Sequence, residues 1–207
     1  MQIEVIVVGP IFENTRLLIC EKTKEAVLID PGDEADRIKQ KIDNLQITLK
    51  YIFATHGHVD HIGAVAPLKK MFNVPFYIHK GDEGLVKRIP LQASLVGMNK
   101  VEVPQIDKYI EDNDIFMFGK LHMKAVHTPG HSPGSISFLV NGKAFVGDVL
   151  FSGGVGRTDL YGGDFNTLQK SIKEKLYTLP DATLVYPGHG PTTTIGHEKV
   201  NNPFIRA

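Results

Sequence analysis

Three histidines and an aspartate crowd into one short segment of the chain, "ATHGHVDHIGA", as His56, His58, Asp60 and His61. Imidazole nitrogens and carboxylate oxygens are ligands for divalent metal ions, and they are also common acid–base groups in catalysis. A mixed cluster of this kind is costly to bury unless a cation or hydrogen-bond partners compensate for it. The segment therefore predicts a metal site.

The spacing within the segment directs its side chains towards two neighbouring points. His56 and His58 are separated by one residue, so in extended backbone both project to the same side. Asp60 and His61 follow the bend into a predicted helix and can reach a second point nearby. This is more ligand capacity than one tetrahedral ion uses, which favours a site with more than one ion.

Three further candidate ligands each follow a glycine in a later loop: His131 in "TPGHSPG", Asp148 in "FVGD" and His189 in "YPGHG". Glycine allows the backbone and the next side chain to approach an ion closely. With the first segment these residues make five imidazoles and two carboxylates. That set suffices for two metal ions about 3.5–4 Å apart with one bridging carboxylate. Imidazoles and carboxylates without thiolate suit zinc, iron or manganese in a catalytic site more than they suit a structural zinc. We expect two divalent ions, zinc first, with iron or manganese as alternatives.

The elements that must position these groups are strands that end in short loops. Strands are predicted in "QIEVIVVG", "TRLLIC" and "EAVLID", which form an opening meander, and in "LKYIFAT", "PFYIH", "LHMKAVH", "SISFLV", "KAFVGD" and "ATLVYPGHG". Helices are predicted in "PGDEADRIKQKIDNL", "HIGAVAPLKKMF" and "FNTLQKSIKEKLYTL", the last as one amphipathic helix. Residues 81–114 have no clear pattern. Two halves of strands followed by helices predict an α/β protein with a four-layer αββα sandwich.

The composition excludes several classes of partner. A chain of 207 residues with 42% hydrophobic content predicts one globular domain, residues 1–207. Lys+Arg and Asp+Glu number 23 each, so no net field favours nucleic acid or an anionic membrane. No apolar run approaches the roughly 18 residues that span a bilayer. The single cysteine, Cys20, fits a reducing cytosol. We therefore expect a cytoplasmic monomer or homodimer.

The chain resembles the metallo-β-lactamase superfamily because it carries "THGHVDH", His131, Asp148 and His189 in that order. The resemblance covers nearly the whole chain. "HTPGHSPGS", "VGDVLF" and "YPGHGPTTTIGHEKVNNPF" are most similar to its glyoxalase II (hydroxyacylglutathione hydrolase) branch. The resemblance implies the metallo-β-lactamase αββα fold, with the metal ions at one edge of the sheets. It also implies one ion on His56, His58 and His131, a second on Asp60, His61 and His189, and Asp148 as the bridge.

The activity implied by this resemblance is thioester hydrolysis, in which a hydroxide held by the metal ions attacks the thioester carbonyl. Asp60 is expected to act both as a ligand and as the acceptor of the hydroxide proton. The expected substrate is a small thioester linked to glutathione. Arg157, in "GGVGRTD", is expected to bind a carboxylate of that thiol, because its planar fork matches a carboxylate. The alternative is that Arg157 pairs with Asp159 or Asp164 and only holds its loop.

Two features differ from the glyoxalase II pattern. Members of that branch carry a helical C-terminal domain, whereas fewer than twenty residues follow His189 here, which identifies a short form. In addition, "GGVGRTD" resembles the persulfide dioxygenases of the same superfamily. A mononuclear non-haem iron persulfide dioxygenase, with His56, His131 and Asp148 as its facial triad, is therefore the alternative function. A non-catalytic metal-binding module is a more remote one.

Overall fold

The computed structural model describes residues 1–98 and 101–207, which form two six-stranded β-sheets and a two-stranded ribbon. The first sheet follows chain order and consists of β1 (Gln2–Val8), β2 (Glu13–Ile19), β3 (Glu25–Ile29), β4 (Thr48–Phe53), β5 (Phe76–His79) and β6 (Lys108–Ile110). The second sheet is made, in chain order, of β7 (Ile115–Phe118), β8 (Leu121–His127), β9 (Ile136–Val140), β10 (Lys143–Gly147), β13 (Leu184–Pro187) and β14 (Thr193–Thr194). The ribbon pairs β11 (Leu150–Phe151) with β12 (Gly154–Val155).

The helices lie between the strands of both halves. They are α1 (Ala35–Leu45), α2 (Val59–Ile62), α3 (Val65–Phe72), α4 (Glu83–Val86), α5 (Ile89–Val96), α6 (Phe165–Ser171) and α7 (Ile195–Asn201). A 3₁₀ turn spans Lys80–Asp82, and a π-helical segment spans Ile172–Leu176. Among residues 1–98 and 101–207, no helix has both the length and the apolar character needed to cross a membrane.

The core has three layers of apolar side chains, which confirms the predicted αββα sandwich. Between the sheets, Phe53 of β4 and Phe138 of β9 are fully buried, with ring centroids 5.3 Å apart. On the outer face of the first sheet, Ile38 of α1 and Leu68 of α3 are buried against strand residues, and Leu168 of α6 does the same on the second sheet. Burial of such side chains contributes about 1.5–3 kcal/mol each, so both helical layers are held by their apolar faces.

Strand direction brings the loops of both sheets to one edge. In the first sheet β3, β4, β5 and β6 are mutually parallel, so their carboxyl ends lie together. In the second sheet β10 and β13 are parallel, and β8 runs the same way because antiparallel β9 separates it from β10. The two edges are joined by main-chain hydrogen bonds from Ile136 to Thr55, at 2.7 Å, and from Asn14 to Gly188, at 2.8 Å.

The predicted strands are confirmed, including the antiparallel opening meander of β1, β2 and β3. The predicted helix "HIGAVAPLKKMF" is present as two shorter helices, α2 and α3, with the break between Ile62 and Val65. This break turns the chain so that α2 stays at the edge of the sheet while α3 packs on its outer face. Residues 81–114, which have no clear pattern in the sequence, contribute α4, α5 and β6.

The amphipathic helix predicted in "FNTLQKSIKEKLYTL" is present as α6 followed by a π-helical segment, with Leu168, Ile172 and Leu176 buried as predicted. There the main-chain N–H of Tyr177 donates to the carbonyl of Ile172 at 2.8 Å, five residues earlier. The same residue's hydroxyl donates to the carbonyls of Glu198 and Ile205, at 3.1 and 2.8 Å. These tertiary hydrogen bonds offset the poorer geometry of the wide turn, which periodicity alone cannot reveal.

Candidate metal centre

All the side chains predicted as metal ligands meet at the shared edge of the two sheets. They are supplied by the loop after β4 (His56, His58), by α2 (Asp60, His61) and by the loops after β8 (His131), β10 (Asp148) and β13 (His189). Most of them form the base of an open cavity of about 680 Å³, while His56 and His61 are buried beneath it. The parallel strand ends explain this convergence of residues that are far apart in sequence.

The first group of ligand atoms is a triangle of imidazole nitrogens. His58 Nδ1 lies 2.9 Å from His56 Nε2 and 3.0 Å from His131 Nε2, and the last two atoms are 3.2 Å apart. Nitrogens bound to one tetrahedral zinc ion at about 2.0–2.1 Å lie roughly 3.3 Å from one another. The triangle is therefore close to the spacing that a single shared ion requires.

The second group combines carboxylate and imidazole. Asp60 Oδ2 lies 3.2 Å from His189 Nε2 and 3.5 Å from His61 Nε2. The carboxylate of Asp148 faces both groups: its Oδ1 is 3.4 Å from His61 Nε2, and its Oδ2 is 3.8 Å from His131 Nε2 and 3.7 Å from His189 Nε2. Asp148 thus lies between the two sets of nitrogens.

The outward-facing ring nitrogens meet acceptors, which fixes where the hydrogens lie. Nδ1 of His61 is 3.0 Å from Asp30 Oδ2, and the Nδ1 atoms of His131 and His189 are 2.8 and 3.1 Å from main-chain carbonyl oxygens. A carbonyl or carboxylate oxygen can only accept, so each Nδ1 carries the hydrogen. In the neutral ring Nε2 then presents a lone pair, and all three lone pairs point into the cluster.

His56 is held in the same way through Thr55. The Thr55 hydroxyl donates to Asp30 Oδ2 at 2.7 Å, so towards His56 Nδ1, 3.1 Å away, it can only accept. The main-chain N–H of Thr55 donates to the other oxygen of Asp30 at 2.6 Å. Asp30 therefore orients one histidine of each group. Asp30 is absent from the predicted site residues, although "LIDPG" carries a signal: Asp30 follows β3 as His56 follows β4.

The donor set fits divalent cations. His61 Nε2 and Asp148 Oδ1 are buried and 3.4 Å apart, and neither has a hydrogen-bond partner within residues 1–98 and 101–207. Two facing lone-pair atoms at this distance repel unless a cation or proton compensates for them. Neutral imidazoles and carboxylates without thiolate are ligands for zinc, iron or manganese. The residues present therefore match two ions of this class.

The electrostatics of the two groups differ. Burial and the neighbouring imidazoles lower the pKa of His56 well below its usual value, and burial lowers that of His58 to about 4. Burial acts in the same direction on His61, but the carboxylates of Asp148, Asp60 and Asp30 outweigh it and raise the pKa well above the usual value. His56 and His58 thus offer neutral ligands, whereas His61 is surrounded by negative charge that attracts cations.

Two glycines are required by the close approach of these loops. At Gly188, a Cβ atom would lie 2.3 Å from Asp148 Oδ1 and 2.5 Å from His61 Cε1, closer than side chains tolerate. At Gly147, φ is +52° and a Cβ atom would lie 2.2 Å from Thr55 Oγ1. A side chain at either position would displace ligands, so glycine before Asp148 and His189 serves the packing of the site.

Asp82 joins the two loops that carry the first group. Its carboxylate is fully buried and accepts from Gly57 N at 2.8 Å, from the Ser132 hydroxyl at 2.7 Å and from Gly134 N at 2.6 Å. Gly57 separates His56 from His58, and Ser132 follows His131. Sequence reasoning missed this residue because it lies in the unpatterned region 81–114, where an isolated aspartate carries no distinguishing signal.

Arg157 lies at the rim of the cavity, and its side chain is paired. Its Nε and Nη2 atoms donate to the two carboxylate oxygens of Asp159 at 2.8 and 2.7 Å, and both side chains are exposed. The alternative partner, Asp164, instead caps α6 by accepting from Thr167 N at 2.7 Å. The pairing with Asp159 weighed in the sequence analysis is therefore present. A role in substrate binding remains a prediction.

Comparison with known proteins points to one family. Residues 11–189 match the metallo-beta-lactamase superfamily. The chain is 41% identical, over 211 residues, to hydroxyacylglutathione hydrolase GloC of Haemophilus influenzae, and the alignment covers 100% of this chain and 99% of that protein.

Solved structures agree with this assignment. The BLEG-1 B3 metallo-beta-lactamase is 38% identical with a TM-score of 0.92, and each chain covers 100% of the other. TTHA1623 in a di-iron-bound form is 38% identical with a TM-score of 0.89, over 98% of this chain and 100% of that one. ETHE1 from Myxococcus xanthus is 33% identical with a TM-score of 0.81, over 98% and 84% of the two chains.

Proposed function

The chain belongs to the metallo-β-lactamase superfamily and has its fold, and from this premise we propose that it is a metal-dependent hydrolase that cleaves acylglutathione-type thioesters. The observation that carries the proposal is the convergence of five imidazoles and two carboxylates at and directly beneath the base of an open cavity. We choose a thioester as substrate because the chain is similar to a protein named hydroxyacylglutathione hydrolase. The similarity extends over 100% of this chain.

In this proposal the two groups of side chains hold two divalent ions, zinc first, with iron or manganese as alternatives. His56, His58 and His131 form one ligand set, Asp60, His61 and His189 form the other, and Asp148 bridges them. The spacing of the nitrogens and the position of Asp148 between the groups support this division. The di-iron form of the similar TTHA1623 supports iron as a candidate.

When bound, the ions would supply a water of lowered pKa and a Lewis acid for the carbonyl oxygen. The chain itself supplies the proton acceptor. Asp60 lies among the candidate ligands, with its Oδ2 atom 3.2 Å from His189 Nε2 and 3.5 Å from His61 Nε2, so its carboxylate would accept the proton of the attacking water. The leaving thiolate has a pKa of about 8.5 and departs without a dedicated acid. Arg157, at the rim, would contact a carboxylate of glutathione.

A substrate panel tests this proposal. Protein stripped of metal and then reloaded with zinc, iron or manganese is assayed on acylglutathiones, on glutathione persulfide with an oxygen electrode, and on a chromogenic cephalosporin. We expect acylglutathione cleavage that is lost on stripping and recovered on reloading. Unchanged cleavage by stripped protein would exclude a metal-dependent hydrolase, and cephalosporin cleavage alone would assign the activity named for BLEG-1.

The second candidate is a mononuclear iron persulfide dioxygenase. Two observations favour it: the "GRTD" sequence at Arg157, and the similarity to ETHE1 over 98% of this chain. His56 Nε2 and His131 Nε2 are 3.2 Å apart, with Asp148 Oδ2 3.8 Å from the latter, so these side chains could hold one iron ion. Oxygen consumption with glutathione persulfide, in iron-loaded protein that does not cleave thioesters, would select this candidate.

A further inference from the structure

Apolar side chains form most of the walls of the cavity above the candidate ligands. The apolar side chains that line it are Ile11, Leu95, Val96, Phe151, Val155 and Leu160. Leu95 and Val96 come from the end of α5, Phe151 and Val155 from the β11–β12 ribbon, and Ile11 from the turn before β2. The walls thus come from separate elements that face one another across the entrance to the site.

Three of these side chains, Ile11, Leu95 and Leu160, are exposed, and the other three are partly buried. Leu95 is 78% exposed and Ile11 is 43% exposed, and neither packs against a buried apolar cluster formed by the described residues. At the deep end, the ring of Phe151 is 6.5 Å from that of His189, centroid to centroid. Apolar side chains that stay exposed around a concave site are typical of a surface that binds an apolar group.

Polar side chains in the same walls are already bonded within the protein. Gln92 donates from Nε2 to the carbonyl of Leu85 at 2.8 Å and accepts from Val59 N at 3.1 Å. Arg157 lies at the rim, where it pairs with Asp159 and where the proposed function assigns it to a carboxylate of glutathione and not to the acyl group. A polar acyl substituent placed against these walls would therefore lose its water without gaining a matching partner, which is unfavourable.

We propose that the cavity selects thioesters whose acyl group is a hydrocarbon chain, in preference to acetyl or short hydroxyacyl groups. The inference rests on the proposed thioesterase activity and adds the class of acyl group to it. Each methylene buried against the walls is expected to raise kcat/KM by up to about fourfold, which corresponds to about 0.8 kcal/mol per methylene. The increase in kcat/KM ends when the acyl chain of the substrate is long enough to extend beyond the rim of the cavity.

The first test is a series of acetyl-, butyryl-, hexanoyl- and lactoylglutathione, with each kcat/KM divided by the rate of alkaline hydrolysis of the same compound. We expect hexanoylglutathione to exceed acetylglutathione by about tenfold or more, since part of its chain is buried. Lactoylglutathione should be no better than acetylglutathione. A flat series, or lactoylglutathione as the best substrate, would overturn the inference while leaving thioester hydrolysis established.

A matched pair of variants locates the effect. Leu95→Ser replaces an exposed wall residue, whereas Leu91→Ser makes the same change one turn earlier on α5, at a residue that is 62% exposed and lies outside the cavity lining. We expect Leu95→Ser to lower kcat/KM for hexanoylglutathione by about fivefold more than kcat/KM for acetylglutathione, because the longer acyl chain buries more surface against the wall. Leu91→Ser should change neither. Equal effects of the two variants would contradict the assignment.

A binding measurement separates this inference from the proposed function. S-hexylglutathione and S-methylglutathione share the thiol carrier and contain no thioester to cleave. Calorimetry on metal-loaded protein should show the hexyl compound binding at least about tenfold more tightly, and the difference should shrink in Leu95→Ser. If this preference holds while no acylglutathione is cleaved, the thioesterase proposal fails and the apolar site stands. Equal affinities would overturn the apolar site itself.

Discussion

The side chain of Asp148 lies between the two groups of candidate ligands and faces both of them. Its carboxylate oxygens lie 3.4 Å from His61 Nε2 and 3.8 Å from His131 Nε2, one in each group. Neighbouring imidazoles hold its pKa below the usual value although burial opposes this, so it stays ionised. Removal of this side chain would therefore remove one negatively charged candidate ligand that both groups share.

We expect Asp148→Ala to lower occupancy of both metal positions and to reduce turnover by about two orders of magnitude or more, since a shared ligand is lost. His189→Ala should weaken one position selectively, because His189 Nε2 faces Asp60 at 3.2 Å and lies outside the triangle of the first group. Metal ions per chain are counted by mass spectrometry in each variant, with circular dichroism as the fold control. Equal loss of both ions in His189→Ala would contradict the proposed division.

Arg157 offers a second prediction at the scale of a single residue. If its guanidinium contacts a glutathione carboxylate, Arg157→Ala should raise KM for acylglutathiones and leave metal content unchanged. The contact would stabilise the bound substrate and the transition state equally, so its loss weakens binding. The same acyl group on a neutral thiol carrier should be affected little. Asp159→Ala is the matched control, since it breaks the same ion pair but leaves the cation in place. Equal loss of activity in both variants would assign Arg157 to the structure of its loop.

The loop after β13 shows how tightly the elements approach one another. Gly188 has no room for a side chain beside Asp148 and His61. Gly190, in the same loop, has φ of +73°, and a Cβ atom added there would meet no atom of the described residues within 4 Å. Gly190→Ala should cost about 1 kcal/mol of backbone strain and leave the site intact. Gly188→Ala should displace the candidate ligands and abolish binding of at least one ion.

Metal titration by calorimetry, together with thermal unfolding, distinguishes the two glycine variants. Gly190→Ala should show a lower Tm with unchanged metal affinity, and Gly188→Ala should show reduced metal affinity. Normal metal binding in Gly188→Ala would mean that the loop relaxes freely, and that close packing at this position is not needed for the site.

The strands and helices that could be predicted from the sequence are those whose pattern of apolar residues matches the face that they bury in the fold. The strands that precede His56, Asp148 and His189 are strongly apolar and are bounded by glycine or polar residues, so the strands and the candidate ligands that follow them could be predicted. The supporting carboxylates could not. Asp30 and Asp82 act through contacts with residues distant in sequence, and a single aspartate near a turn is more often a turn residue.

The helical segments were predicted less well for a related reason. Periodicity reports which face of a helix is buried, but it does not report where tertiary hydrogen bonds interrupt the turns. The π-helical segment Ile172–Leu176 keeps its apolar residues buried, and Tyr177 anchors its end through hydrogen bonds to the C-terminal region. The apolar walls of the cavity were also missed, because Leu95 and Phe151 meet only when α5 and the β11–β12 ribbon face each other.

At the scale of the whole molecule, the two sheets act as a rigid frame for loops that would otherwise diverge. The inter-sheet core around Phe53 and Phe138 fixes the relative position of the strand ends, and the hydrogen bond from Ile136 to Thr55 joins the sheets beside the site. Candidate ligands from the two halves of the chain then face one another, as His61 Nε2 and Asp148 Oδ1 do at 3.4 Å. Bound ions would in turn cross-link the two halves and favour the folded state by mass action.

The most direct test of a two-ion thioesterase is the number of metal ions per chain, followed while thioester hydrolysis is recorded on the same sample. Stripped protein is titrated with zinc, and bound metal, hexanoylglutathione hydrolysis and Tm are measured at each step. We expect saturation at two ions per chain, with hydrolysis and Tm rising as the sites fill. Full hydrolysis in the stripped protein, or saturation at one ion with no thioester cleavage, would contradict the proposed function.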